Sequence, residues 1–489
     1  MAIDRSMLRC CLVSLALAVL AACSTAQFEN SRLAAGQDNP ERRTMVPADR
    51  DRPVILMAFS GGGSRAAALA EAVLREMSDT TYLAGDGRHA LTDDVKLISS
   101  VSGGSVTAAW FGLRQASGLD ELRRDFLAQD NMASLKLDAV NPITWFKLAF
   151  TGFSRIEALE QLFDRRLFHG AKLGELNQPG KPIVVLNATD MAGGETFAIT
   201  PRRFDDICSH LDALPVSTGV AASAAFPILL SPVNFINFSK DCAGRRRSIE
   251  WAEIDLSNPF TPYLDLPQYR EARYTNDLRQ GAHPYREIDF LHLLDGGLAD
   301  NLGVNSLRSA LIGSYDDAGG LAAINSGKIR KLVIIIVNAR SDPPNKLYQF
   351  DGRPGTVSML NTVVSAPIDA NTASSDIALT ALLTEIAKAS QTAGNARFAG
   401  MKVYGVSVDY DQIPTDTPEH IALRDQAKTV PTSWTLSAEQ LKTTEIAGSF
   451  LLRRHPCYRE LLADLKAEQP PAQLSGAEPA VACLTKIQP

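Results

Sequence analysis

The chain has 489 residues, 45% of them hydrophobic, and a net charge of −6 at neutral pH. That is enough apolar material for a large buried core. There is no long basic run, so the clustered positive surface that nucleic-acid binding requires is missing. The short GRRRS at 244–248 reads as a solvated loop.

Residues 1–22 place Arg5 and Arg9 ahead of an apolar run, CLVSLALAVLAA. The run is shorter than the roughly 20 residues that span a bilayer, and it fits the apolar region of a secretion signal. It ends in Leu20-Ala21-Ala22-Cys23, which resembles the lipobox of bacterial lipoproteins. That resemblance implies cleavage before Cys23, lipid on Cys23, and attachment to a membrane surface through this N-terminal lipid. Ser24 beside it, rather than Asp, implies the outer membrane of a bacterial envelope. The alternative is an ordinary signal peptide with a chance cysteine. Residues 23–50 are polar and aperiodic and read as a flexible tether. Cys10 and Cys11 leave with the signal, so Cys208, Cys242, Cys457 and Cys483 remain. An exported compartment permits disulfides. The sequence-local pairs 208–242 and 457–483 are the expected ones, with four free thiols as the alternative.

At Pro53 the character changes. PVILMAF (53–59) is an apolar run of strand length; GGGS follows, then RAAALAEAVLREM (65–77), rich in helix formers. DVKLISSV (94–101) reads as a strand and GGSVTAAWFGLRQ (103–115) as a helix. ITWFKLAFTGF (143–153), with Trp145, Phe146, Phe150 and Phe153, reads as core; an acyl-chain groove or a membrane-dipping segment is the alternative. Ser154 with Glu157 three residues on is a capping-box pattern. KPIVVLNATD (181–190) is another strand, the polar stretch 237–286 an insertion, and IDFLHLLDGG (288–297) a strand and turn. RKLVIIIVNAR (330–340) reads as a central strand. Leu379, Leu382, Leu383 and Ile386 share one face of a helix. MKVYGVSVDY (401–410) is a last strand and SAEQLKTTEIAGSFLLRR (437–454) a late helix. Strands alternating with helices predict an α/β fold of parallel βαβ units with helices on both faces.

Three separated stretches carry chemistry. In FSGGGSRAAALA, glycines 61–63 lie between a strand and a helix N-terminus, where free N–H groups and the helix dipole suit an anion. That anion is a phosphate or the oxyanion of an acyl-transfer intermediate. Gly61-x-Gly63-x-x-Ala66 also matches the dinucleotide fingerprint, but the residues after it read as loop, not as a strand closed by an acidic residue. In LISSVSGGSVTAAWF, Ser100-Val101-Ser102-Gly103-Gly104 approximates the G-x-S-x-G elbow, with Ser100 replacing the first glycine. The geometry selects Ser102: Ser99 and Ser100 lie within the strand and Ser105 within the helix. Asp295-Gly296-Gly297 is a turn signal; beside the other two stretches, Asp295 becomes a candidate general base. The seven histidines are scattered without metal-ligand spacing, and no calcium-loop pattern occurs.

GGGSR (61–65), SVSGG (100–104), NATD (187–190), ASAAFPILLSPV (222–233) and DGG (295–297) together resemble the patatin-like phospholipase family, in family order. The resemblance implies a three-layer α/β/α sandwich with a mainly parallel central sheet. It implies a serine acyl hydrolase that uses a Ser-Asp dyad on lipid or phospholipid acyl esters, with no cofactor. Ser102 would attack the ester, and Asp295 would accept its proton and later activate water. Gly61, Gly62 and Gly63 would hold the oxyanion, with Arg65 behind them and Gly104, Gly296 and Gly297 in supporting positions. The core is expected over 51–345, interrupted at about 237–286, with 346–489 as a C-terminal helical extension packed on it. An acyltransferase on the same dyad and a non-catalytic envelope lipoprotein are the alternatives. His420 and His455 follow Asp295 in the order of a triad. His420 reads as part of a surface helix, and His455 as a helix end where a cation suits the dipole.

Overall fold

The computed structural model describes residues 29–140, 155–245, 266–312, 323–341 and 401–472 apart from a few positions, with scattered positions between 351 and 384 and at 474 and 483. Cys23, the aromatic stretch 143–153 and the helical face of Leu379, Leu382, Leu383 and Ile386 lie outside the described residues.

One sheet organises the rest. Its strands are β1 (Val54–Phe59), β4 (Val95–Val101), β5 (Ile183–Asp190), β6 (Thr196–Ile199), β7 (Val233–Ile236), β8 (Phe290–Asp295), β9 (Lys331–Asn338) and β10 (Lys402–Asp409); β2 (Thr81–Ala84) and β3 (Gly87–Ala90) form a separate ribbon. The order is β10-β9-β1-β4-β5-β8-β7, with β6 also paired to β5. From β10 to β5 the strands are parallel; β8 runs antiparallel to β5 and β7, and β6 antiparallel to β5.

β1 is buried at every position, as a strand covered on both faces must be. Its alternation separates two cores. Ile55, Met57 and Phe59 join the larger one; Val54, Leu56 and Ala58 join the smaller one. On the larger core's face lie α1 (Gly63–Asp79), α2 (Gly103–Arg114), α3 (Arg155–Phe163), α4 (Val216–Ser223) and, farther along, α7 (Pro418–Thr429), α8 (Ala438–Arg454) and α9 (Pro456–Leu465). α5 (Leu266–Gln280) packs beside Phe204's helical turn, and α6 (Val304–Ile312) covers the smaller core through Leu307 and Leu311. This is the three-layer α/β/α arrangement that the strand and helix alternation predicts. Among the described residues, no helix is long and apolar enough to cross a membrane. Cys208 is bonded to Cys242 and Cys457 to Cys483.

Two expectations need correction. Residues 29–50 are not a free tether. Leu33 and Met45 are buried. Asn30 donates to Ser209 Oγ (3.0 Å) and Ile236 O (2.8 Å), and Asn39 to Asp205 Oδ1 (2.7 Å) and Ser209 O (2.9 Å). A coil fixed by side-chain bonds to a distant surface leaves no period of 2 or 3.6 in its sequence. The chain beyond 345 is also not a purely helical extension. β10 pairs with β9 over all eight of its residues, from Lys331↔Lys402 to Asn338↔Asp409. α8 lies so close to α1 that a Cβ on Gly448 would fall 2.8 Å from that of Ala72.

A chain stopped at residue 345 would expose the apolar edge of β9 and the face of α1 that α8 covers. Such edges recruit other strands. The expected outcome is insoluble protein on sedimentation after expression; a soluble truncated monomer with a cooperative unfolding transition would refute this view of the sheet.

Candidate active site

β4 ends at Val101, and α2 begins at Gly103. Ser102 between them has φ 51° and ψ −119°. A non-glycine residue there is strained and persists only where its surroundings fix it. They do: Ser102 N–H donates to Ser223 Oγ (2.9 Å), and Ser105 N–H donates to Ser102 O (3.0 Å). Gly103 and Gly104 permit the close approach of the glycine loop. A Cβ on Gly103 would sit 1.9 Å from Gly63 O, and one on Gly104 2.7 Å from Ser60 O.

The crowd of serines divides by role. Ser99 Oγ donates to Gly303 O (2.5 Å), Ser100 Oγ to Val185 O (3.0 Å) and Ser105 Oγ to Ser100 Oγ (3.0 Å). These three brace the backbone. The Ser102 hydroxyl lies near enough to the Asp295 carboxylate to hold its pKa down.

Asp295 closes β8, held in register opposite Ala188 of β5. Its N–H donates to Ala225 O (2.9 Å), and its carbonyl accepts from Thr189 Oγ1 (2.8 Å). The carboxylate accepts the N–H of Gly297 through Oδ1 (2.8 Å). Burial pushes its pKa up from 3.8 to about 6, while the Gly297 N–H and the Ser102 hydroxyl pull it partly back. Gly296 is fixed by proximity: a Cβ there would lie 2.2 Å from Asn187 O.

The glycine loop follows β1 and opens α1. Gly62 and Gly63 have φ of 139° and 61°, conformations that glycine reaches without strain. Gly61 N–H donates to Asn301 O (3.1 Å), and Ser64 N–H to Ser433 O (2.8 Å). The N–H groups of Gly62 and Gly63 have no hydrogen-bond partner among the described residues. This corrects the expected trio: the Gly61 donor is spent on a backbone carbonyl, which leaves Gly62 and Gly63. Arg65 lies immediately behind. Its Nε donates to Ala339 O (2.7 Å) and its Nη1 to Val430 O (2.5 Å), and its Nη2 is 3.1 Å from where a Gly62 Cβ would be. The guanidinium is thus buried against carbonyls, and among the described residues no carboxylate is bonded to it.

Residues beyond 345 reach this loop. Ser433 O takes the Ser64 N–H, and Val430 O takes Arg65. Trp434 stands edge-on to Phe163 at 5.1 Å and to Phe126 at 6.4 Å. Sequence reasoning missed Ser433 and Asn301, because their contribution is a backbone carbonyl. Asn187 and Ser223 lie in stretches singled out in the sequence, but their roles were not readable there.

Neither downstream histidine hydrogen-bonds the pair. His420 is buried rather than exposed; its Nδ1 lies 2.6 Å from Asp416 Oδ1 and its ring 4.9 Å from that of Phe450. His455 joins α8 to α9 and caps the latter, Nδ1 accepting from Cys457 N–H (3.2 Å). Burial depresses its pKa to about 4, so it is neutral, not the cation expected at a helix end. Among the described residues no cluster of His, Cys, Asp and Glu could hold a metal ion.

No curated protein matches the chain in sequence. Among solved structures it is similar to human GIVD cytosolic phospholipase A2 in complex with methyl gamma-linolenyl fluorophosphonate, at 11% identity and a TM-score of 0.41, covering 85% of this chain and 59% of that one. The chain thus spans well under two thirds of that protein's length. It is also similar to VipD from Legionella pneumophila, at 12% identity and a TM-score of 0.23, covering 87% of this chain and 72% of that one. The family model for patatin-like phospholipase matches residues 57–308, just over half of the sequence and inclusive of the glycine loop, the Ser102 elbow and Asp295: the chain belongs to the patatin-like phospholipase family.

Proposed function

We propose that the protein hydrolyses acyl esters of lipids, phospholipids or lysophospholipids among them, with Ser102 as nucleophile and Asp295 as base. One observation carries the reading: a strained elbow serine stands beside a buried aspartate whose pKa is lifted to about 6. A base works best with a pKa near the working pH.

The chemistry follows from the positions. Ser102 Oγ attacks the ester carbonyl carbon as its proton passes to Asp295. The carbonyl oxygen becomes an oxyanion, which the N–H groups of Gly62 and Gly63 receive, with the charge of Arg65 behind them. The intermediate collapses, and the leaving alcohol takes the proton back from Asp295. Water then attacks the Ser102 acyl ester, its proton going to Asp295, and a second oxyanion forms in the same place. Collapse releases the fatty acid and returns the proton to Ser102. No histidine is required, because desolvation alone makes Asp295 a stronger base than an exposed aspartate. We further propose that lipid on Cys23 holds the enzyme at the bacterial envelope. Cys23→Ala should abolish palmitate incorporation, and labelling that persists in it would exclude this anchor.

Ser102→Ala and Asp295→Asn should each lower hydrolysis of p-nitrophenyl esters and phospholipids by more than about 10³-fold. Only protein with Ser102 should react with a fluorophosphonate probe. His420→Ala and His455→Ala, checked for folding by circular dichroism, should keep at least about a tenth of the activity, since general-base removal costs far more. Loss of activity in either histidine variant to the level of Ser102→Ala would require a triad in place of the dyad.

The pH profile has a definite sign. Asp295 acts as a base only when ionised, so kcat/KM should be flat above its pKa of about 6 and fall as pH drops below it. An aspartate in water would put that fall near pH 4. Full kcat/KM maintained down to pH 4 in folded protein would rule out Asp295 as the base.

A further inference from the structure

Ser223 ends α4 and stands where β4 parts from β5. The last pair of that ladder is Val101↔Asn187; beyond it the chain turns into the elbow. Ser223 Oγ fills the gap. It donates to Asn187 O (2.6 Å) and accepts the Ser102 N–H (2.9 Å). A carbonyl oxygen only accepts, so the single hydroxyl proton of Ser223 is committed to Asn187 and its lone pairs are left for Ser102. The residue is fully buried, which shields this bond from bulk water.

The same turn holds Asp295 through its backbone. Ser223 O accepts the Gly296 N–H (3.1 Å), and Ala225 O accepts the Asp295 N–H (2.9 Å). Residues 223–225 therefore reach both members of the pair. Their hold on Asp295 uses carbonyls, which any residue supplies. Their hold on Ser102 uses a hydroxyl, which alanine lacks. Ser102 needs that hold, because its φ of 51° persists only while neighbouring bonds fix it. The other backbone bond at Ser102, from the Ser105 N–H to its carbonyl, lies within the start of α2 and does not tie the elbow to β5.

We propose, resting on the reading of Ser102 as the nucleophile, that Ser223 is a positioning residue for the reaction: its hydroxyl holds the Ser102 N–H, so that the strained elbow keeps the Ser102 hydroxyl beside Asp295. Ser223 touches neither the substrate nor the reacting atoms. Without its hydroxyl the Ser102 N–H is buried with no acceptor, and the elbow relaxes to find one. A shift of about 1 Å at a reacting atom costs up to about 10²-fold in rate. Binding is not touched, and neither is the carboxyl of Asp295.

The test is the rate at which a fluorophosphonate probe labels the full chain, measured against probe concentration and pH. Ser223→Ala should slow labelling at saturation by at least about tenfold, with the half-saturating concentration within about twofold of the parent's. Its acid limb should stay near pH 6, because Asp295 keeps its surroundings. Thr218→Val is the control for stability alone. Thr218 lies on the same helix, is equally buried and bonds Glu160, so its loss should lower Tm and leave labelling at the parental rate. The proposal is overturned if folded Ser223→Ala keeps more than a tenth of the parental rate, if its acid limb moves by more than about one pH unit, or if Thr218→Val slows labelling as much. Should Ser223→Ala fail to fold, Ser223→Cys decides: a thiol accepts weakly, so the same slowing is expected, and parental labelling overturns the proposal. A parent protein that takes no label fails the nucleophile reading and this one with it. A parent that labels, beside a Ser223→Ala protein that labels equally, fails this one alone.

Discussion

The arrangement depends on the hydrogen bonds of Asn187. Its amide donates to Ser99 Oγ (2.9 Å) and Ser100 O (3.0 Å), its side-chain oxygen accepts from Ser306 (2.7 Å), and its backbone carbonyl accepts from Ser223 (2.6 Å). One residue within β5 therefore ties β4, α4 and α6 together, with a Cβ on Gly296 excluded by its carbonyl. All of these groups except Ser306, which is half-buried, are buried. Each one left unpaired would cost about 1–3 kcal/mol, so the network is satisfied as a whole or fails as a whole. That is what allows Ser102 to remain at a positive φ: the strain of one residue is small against the combined bonds of its neighbours.

The same burial sets the electrostatics. Desolvation alone would carry the Asp295 carboxyl higher; the Gly297 N–H and the Ser102 hydroxyl stabilise the anion and leave it at about 6. Arg65 balances in the other direction. Desolvation lowers its pKa, but a guanidinium starts so high that it stays charged. Its bonded partners are carbonyls, not carboxylates, so its positive charge is not cancelled locally. A buried cation and two N–H groups without a partner among the described residues make the glycine loop attractive to negative charge.

Much of this was legible in the sequence, for identifiable reasons. VILMAF, LISSV and LVIIIV are continuous apolar runs because parallel central strands are buried on both faces. Ser102 stands out among four serines because only its position has a glycine two residues on and a strand behind it. What was not legible concerns direction and distance. Nothing in GGGSR tells that the Gly61 N–H points to Asn301 O while those of Gly62 and Gly63 do not. A polar helix such as PEHIALRDQ gives no sign that His420 turns inward onto Phe450. The coil at 29–50 has the composition of a tether, yet Asn30 and Asn39 find partners more than 150 residues away.

The region that carries the family likeness, 57–308, leaves out part of the sheet in which it sits. It contains only the last three residues of β1 and none of β9, although β9 lies along one edge of β1 and β4 along the other. It contains the glycine loop but not Ser433 or Val430, the carbonyls that hold Ser64 and Arg65. The residues proposed to do the chemistry thus lie in the matched half, while part of what holds them comes from the other. A backbone carbonyl can be supplied by almost any residue, so the sequence of the turn at 430–434 was free to change so long as its path was kept. Likeness in sequence follows side chains that react. The support for the glycine loop is carried by chain path, which is why the boundary of the likeness falls inside the sheet and not at the edge of a domain.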